Sequence, residues 1–222
     1  MPNLKPVKLA IFDLDGTLID SLDDLTDATN HMRAVMGRTP LTLPEVRELV
    51  GQGARRLVER ALPGADNASI DRALDLFLEF NSSHIAVKTA LYPQVRETLD
   101  QIKGQGMRLA VVSNKNEDLC RKVLQSLGAD SYFDDIMGAD TVSARKPSPE
   151  PLLKLLRDYQ VVPSEAVIVG DSINDILAGK NAGVATVGCT YGYGGPDELE
   201  EADYIVDKFQ QLLDLPLFAS CK

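Results

Sequence analysis

The chain has 222 residues, 44% of them apolar and 25% charged, with a formal net charge of -10. That charge works against nucleic acid and anionic membrane as partners, and no apolar run approaches the ~20 residues of a membrane helix. Three scattered cysteines, Cys120, Cys189 and Cys221, do not make a disulfide or zinc framework. The expectation is a globular protein of a reducing compartment, the cytoplasm, in which any anion site draws its positive charge from a local lysine or a bound divalent cation.

Val7 to Phe12 is a short apolar run with Lys8 as its one charge, the pattern of a strand buried on both faces of a parallel sheet. Asp13-Leu14-Asp15-Gly16-Thr17 follows and turns the backbone. The pattern then becomes helical. Ser21 is placed to cap a helix carrying Leu22, Leu25, Ala28, Met32 and Val35, and Gly37 stops it. Pro44 opens a short helix, Gly51-Gln52-Gly53 breaks it, and a third helix runs from about Ala54 to Leu62. A long fourth carries Ile70, Ala73, Phe77 and then Ile85. Without a strand signal, this stretch reads as an all-helical insert. The expected division is 20–88 for the insert, with 1–19 and 89–222 forming the main domain.

After Leu91-Tyr92-Pro93 the elements alternate. A helix on Val95, Leu99 and Ile102 precedes a strand over Met107–Val112, which ends at Ser113-Asn114. A helix with Leu119, Val123 and Leu124 leads to a short strand over Phe133–Met137. Ser148-Pro149-Glu150 is in cap and first-turn order for the next helix. Strands follow at Ala166–Val169, Val184–Val187 and Tyr204–Val206, with a helix from Ile173 to Gly183 between the first two. Alternating strands and helices predict an α/β fold with a doubly wound, Rossmann-like parallel sheet. His31 and His84 read as ordinary residues of the insert, and Leu215–Phe218 as a tail that packs on the sheet or makes a contact.

In such a sheet the loops after the strands share one edge. Asp13 and Asp15, Ser113 and Asn114, Lys146, and Asp171 and Asp175 should therefore converge. Alone, each has an ordinary reading as a turn, a loop, a surface lysine or a helix cap. Together they suit phosphoryl transfer to a carboxylate. Asp13 is the candidate nucleophile and Asp15 the candidate proton donor and acceptor. Gly16 and Thr17 would bring backbone N–H groups to the phosphate. Ser113 and Asn114 would donate hydrogen bonds to it, and Lys146 would add charge. Asp13 and Asp171 offer the hard oxygens that Mg²⁺ prefers, with Asp175 supporting the metal or Lys146.

The set Asp13-Leu14-Asp15-Gly16-Thr17-Leu18, Ser113-Asn114, Lys146-Pro147 and Gly170-Asp171-Ser172-Ile173-Asn174-Asp175 resembles the four motifs of the haloacid dehalogenase superfamily. The resemblance covers nearly the whole chain, and the helical insert resembles that family's cap. It implies Mg²⁺ held by Asp13, the backbone carbonyl of Asp15 and Asp171, and an aspartyl-phosphate intermediate. Asp15, absent from the dehalogenase branch, favours phosphate chemistry. Gly51-Gln52-Gly53 with Arg60-Ala61-Leu62, Leu91-Tyr92-Pro93 and Tyr191-Gly192-Tyr193-Gly194 resemble the branch of that family whose substrate is 2-phosphoglycolate, and the resemblance implies that small phosphorylated substrate here. Arg55 and Arg56 are the candidates to receive its carboxylate. A sugar or nucleotide phosphatase, a phosphomutase and an aspartate-phosphorylated signalling switch are the alternatives. The expected assembly is a monomer or homodimer.

Overall fold

A computed structural model describes residues 6–219. The first strand, β1 (Leu9–Phe12), is buried at every position. Its alternate side chains divide between two cores, with Ala10 and Phe12 on one face of the sheet and Leu9 and Ile11 on the other. A strand covered on both sides can be apolar throughout, which is why its sequence shows no alternation.

A two-residue strand β2 (Ile19–Asp20) leads into four helices. These are α1 (Leu22–Val35), α2 (Leu43–Arg47), α3 (Ala54–Ala61) and α4 (Asn67–Ser83). They close a core of their own around Leu25, Met32, Leu57, Leu62 and Phe77. Strand β3 (Ala90–Leu91) then pairs antiparallel with β2, so a small ribbon carries the chain out to the bundle and back. The periodicity reading misses this ribbon because two residues have no period. The fourth helix also stops earlier than expected, with His84 as its C-cap.

The remaining elements are α5 (Val95–Gly104), β4 (Arg108–Val112), α6 (Glu117–Ser126), β5 (Asp135–Met137), α7 (Glu150–Asp158), β6 (Ala166–Gly170), α8 (Ile173–Ala182), β7 (Ala185–Cys189) and β8 (Tyr204–Val206). The sheet has the order β5-β4-β1-β6-β7-β8, and all its pairs are parallel. Helices α5 and α6 cover one face and α7 and α8 the other. This is the doubly wound, Rossmann-like architecture expected from the alternating pattern. From β1 the chain builds outward through β4 and β5, then through β6, β7 and β8 on the opposite side. The end of β1 is thus the switch point, where open α/β sheets leave a crevice.

Local ends differ from the sequence reading in small ways. Pro149, not Ser148, caps α7, and β7 runs on to Cys189. Cys120 and Cys189 are buried and free, while Cys221 lies outside the described residues. Leu217 and Phe218 bury against the β1 face, so the tail packs on the sheet. His31 and His84 both stack on the Phe80 ring, at centroid distances of 4.4 and 4.1 Å. Among the described residues no helix is long and apolar enough to cross a membrane.

Candidate active site

The main-chain N–H of Asp13 still donates to Val169 at 2.9 Å, so the sheet fixes Asp13 at the open end of β1. Lys146 is brought to it from the loop before α7. Its Nζ lies 2.9 Å from Asp13 Oδ1 and 2.5 Å from Asp175 Oδ1. The peptide between Lys146 and Pro147 is cis. Asp175 is fully buried on the first turn of α8, and its other oxygen accepts from the Ser172 N–H and hydroxyl. Asp171 ends β6. It accepts from the Thr17 hydroxyl at 3.0 Å and from the Tyr193 N–H at 2.6 Å.

Backbone without side chains lets this carboxylate in. A Cβ on Gly16, Gly192 or Gly194 would collide with Asp171. Gly16 also has φ +87, which disfavours any other residue. The structure corrects the expected role of this turn. The Gly16 N–H donates to Ile19 and the Thr17 N–H to Leu14. Neither amide is available as a phosphate cradle, because the turn uses both to close itself.

Ser113 and Asn114 follow β4. The Ser113 hydroxyl accepts from the Lys115 N–H at 3.3 Å. Asn114 Nδ2 donates to the carbonyls of Gly51 at 2.9 Å and Lys146 at 3.0 Å. Its Oδ1 is buried with no hydrogen-bond partner among the described residues. Asp15 sits opposite, and both its oxygens accept from Lys115 Nζ, at 3.0 and 3.1 Å. Ser21, expected as a plain helix cap, instead sends its hydroxyl to Asp15 Oδ1 at 2.5 Å and makes no cap bond.

Arg55 and Arg56 are not brought to this place. Arg55 pairs with Asp71 at 2.7 Å and Arg56 with Glu59 at 2.9 Å, with about half of each side chain exposed at 46% and 55%. On α3 the buried positions are Leu57, Val58 and Ala61, so positions 55 and 56 turn outward. The residues that sequence reasoning overlooked are Ser21, Lys115, Asn81 and Arg47. Arg47 donates from the bundle to the carbonyls of Gly192 and Tyr193. Lys115 could have been found from its place directly after Ser113-Asn114. Two cavities open beside Asp13 and Asp15. One runs under Leu25, Leu57 and Phe77, the other toward Arg47, Arg60 and Asp171.

The electrostatics follow from burial. Burial pushes Asp171 up to about 8, helped by the charges of Asp13 and Asp175 and opposed by the hydrogen bonds from Tyr193 and Thr17. Burial also pushes Asp13 up to about 6, against the pull of Lys146. Burial pulls Lys146 down, but Asp13 and Asp175 together hold it well above the ordinary lysine value. One ammonium thus faces three carboxylates. Asp13, Asp171 and Asp175 each offer an oxygen within 4.8 Å of the others. A close set of hard, under-compensated oxygens fits a divalent cation such as Mg²⁺, and these residues could hold one.

A parallel sheet with acids and a buried lysine at its switch point defines an α/β protein with a ligand site at that crevice. Residues 10–189 match the model of the family described as haloacid dehalogenase-like hydrolase. The chain is 40% identical over 222 residues to a phosphoglycolate phosphatase of Psychrobacter arcticus, covering 96% of each. It is 40% identical to one of Vibrio vulnificus, covering 96% of this chain and 98% of that one. A crystal structure of a "predicted phosphoglycolate phosphatase" from Haemophilus somnus superposes with a TM-score of 0.91 at 32% identity, covering 96% of this chain and 99% of that one. The chain belongs to the haloacid dehalogenase-like hydrolase family. It is a phosphoric monoester hydrolase, which sets aside the signalling-switch alternative.

Proposed function

We propose that this protein hydrolyses 2-phosphoglycolate to glycolate and inorganic phosphate, with Asp13 as nucleophile. The observation that carries the mechanism is the placement of Asp13, at the open end of the central strand and 2.9 Å from a lysine that is itself buried. The names of the relatives at 40% identity support the choice of ester.

In this reading Asp13 attacks phosphorus, and the bond from phosphorus to the ester oxygen breaks with its electron pair going to that oxygen. Asp15 delivers the proton that the leaving alkoxide needs. It then takes a proton from the water that attacks the aspartyl-phosphate, which regenerates Asp13. Lys146 and the Ser113 hydroxyl face the phosphoryl oxygens, and Asn114 ties the loop after β4 to the one that carries Lys146. Asp175 positions Lys146. Asp13, Asp171 and the Asp15 carbonyl would hold Mg²⁺, which would supply the positive charge that lets a carboxylate approach a phosphate dianion. Residues 20–88 serve as a cap that shields the site from water, and residues 1–19 and 89–222 as the catalytic domain.

The test is phosphate release from 2-phosphoglycolate, sugar phosphates, nucleoside monophosphates and pyrophosphate, with Mg²⁺ and with chelator. The expected result is kcat/KM highest for 2-phosphoglycolate and lost with chelator. A flat profile removes the substrate assignment. Asp13→Asn is expected to remove turnover with the fold intact, and near-normal activity in that variant excludes Asp13 as nucleophile.

A further inference from the structure

The cavity beneath Leu25, Leu57 and Phe77 joins the bundle to the loop after β4 and reaches Asp13 and Asp15. Its walls are largely apolar. Polar side chains interrupt them, Lys115 and Asn81 among them. Lys115 is the one lysine or arginine that lines it, and only 9% of its side chain is exposed. Asn81, from α4, is 3% exposed. Among the described residues the Asn81 side chain makes no hydrogen bond within the protein, although it lines this cavity.

We infer that this cavity receives the carboxylate of the substrate's leaving group, with Lys115 and Asn81 as its specificity-determining residues. The inference rests on the reading of the substrate as 2-phosphoglycolate. Covalent geometry gives the reason. In glycolate the carboxylate is attached to the same carbon as the ester oxygen. A proton donor at that oxygen is therefore a near neighbour of whatever holds the carboxylate. Lys115 Nζ is in contact with Asp15, at 3.0 and 3.1 Å. An ammonium carries three N–H groups. Asp15 takes two, and among the described residues no third acceptor meets Lys115 Nζ. Lys115 can therefore hold Asp15 and a substrate carboxylate together.

The same arrangement rejects other esters. An uncharged group of glycolate's size would leave the third N–H of Lys115 and the Asn81 amide without a partner, and sites built to bond a polar group discriminate strongly against its absence. A polyhydroxylated leaving group would press hydroxyls against Leu25, Leu57 and Phe77 without partners. Arg55 and Arg56, turned to solvent, are not needed.

The experiment compares kcat/KM for 2-phosphoglycolate with that for ethyl phosphate, which lacks only the carboxylate oxygens. The ratio cancels any loss that Lys115 causes through Asp15. Lys115→Met is expected to lower the ratio about 30-fold, the scale of one charged hydrogen bond, chiefly through KM. Asn81→Ala should lower it severalfold, and Lys115→Arg should restore most of it. An unchanged ratio in both Lys115→Met and Asn81→Ala overturns the inference, whether or not absolute rates fall. Wild-type protein that does not favour 2-phosphoglycolate overturns the substrate reading instead. In that event, inhibition of ethyl phosphate hydrolysis by glycolate decides the subsite. Inhibition lost in Lys115→Met sustains it, and inhibition equal in both proteins, or absent from wild type, ends it.

Discussion

Asn114 Nδ2 donates at once to the Gly51 carbonyl of the helical bundle and to the Lys146 carbonyl of the main sheet's loop, at 2.9 and 3.0 Å. One amide thereby ties three segments of the chain at the mouth of the site. Asn114→Ala leaves both carbonyls without it and is expected to cost about 2 kcal/mol. Urea denaturation would measure this. Activity should fall by at least about tenfold, because the position of Lys146 loosens with it.

Lys146 answers two carboxylates from a position with 1% of its side chain exposed. Lys146→Met leaves Asp13 and Asp175 buried without their cation. The expected destabilisation is about 3–5 kcal/mol, the cost of breaking a buried pair from one side. Asp175→Asn should relieve part of that loss in the double variant, and a double-mutant cycle reads the coupling. Independent, additive losses would show that the pair does not act as a unit.

The raised values of Asp13, about 6, and Asp171, about 8, set a pH dependence. Between the ordinary carboxyl value of 3.8 and these values the folded chain binds more protons than the unfolded one. Stability of the chelator-treated protein must therefore fall as pH rises through that window. The Tm with chelator should be lower at pH 8.5 than at pH 5.5, and Mg²⁺ should raise it most at the alkaline end. A Tm with chelator that rises across this range would contradict the assigned environment of Asp171.

Asp24, on the first turn of α1, grips the segment that returns from the bundle. Its carboxylate accepts from the N–H groups of Val87, Lys88 and Thr89 and from the Thr89 hydroxyl. Burial pushes its value up, but these bonds outweigh burial and hold it below the ordinary carboxyl range. The stability it adds is present above the unfolded carboxyl value and is lost as pH falls through the depressed one. Asp24→Asn replaces one acceptor oxygen by a donor and should cost about 2 kcal/mol, readable by urea denaturation at pH 7. A change under a few tenths would mean the grip is not needed to hold residues 87–89.

Arg55→Ala and Arg56→Ala are expected to change KM for 2-phosphoglycolate by less than about twofold, since exposed ion pairs of this kind contribute little. A rise of tenfold or more would bring these side chains back into the site.

The sheet was legible because buried parallel strands are uninterrupted apolar runs, as at Leu9–Phe12 and Ala166–Val169, and because acids stand where they end. What the linear pattern concealed was competition for polar groups. Ser21 precedes a helix and looks like a cap, but its hydroxyl donates to the Asp15 carboxylate and accepts from no helix N–H. Gly16 and Thr17 look like an anion cradle until the turn's own carbonyls claim their N–H groups. Asn81 is one of many polar residues along α4, and only the packed bundle turns it toward the cavity. Arg55 and Arg56 were placed by closeness in sequence to Gly51-Gln52-Gly53. The period of α3, read through Leu57, Val58 and Ala61, would have turned them outward.

The position of β1 also bears on how the chain is made. Leu9 lies beside Arg108 on one flank and Ala166 on the other. A ribosome releases this strand long before either neighbour exists, and contacts so distant in sequence close slowly. Meanwhile Leu22–Ser83 emerges complete and can gather its own apolar core. During translation the least soluble segment therefore waits, unpaired, on a nascent chain whose helical part is already available to condense. Chaperone demand should peak in that interval and end when Ala166–Gly170 clears the exit tunnel.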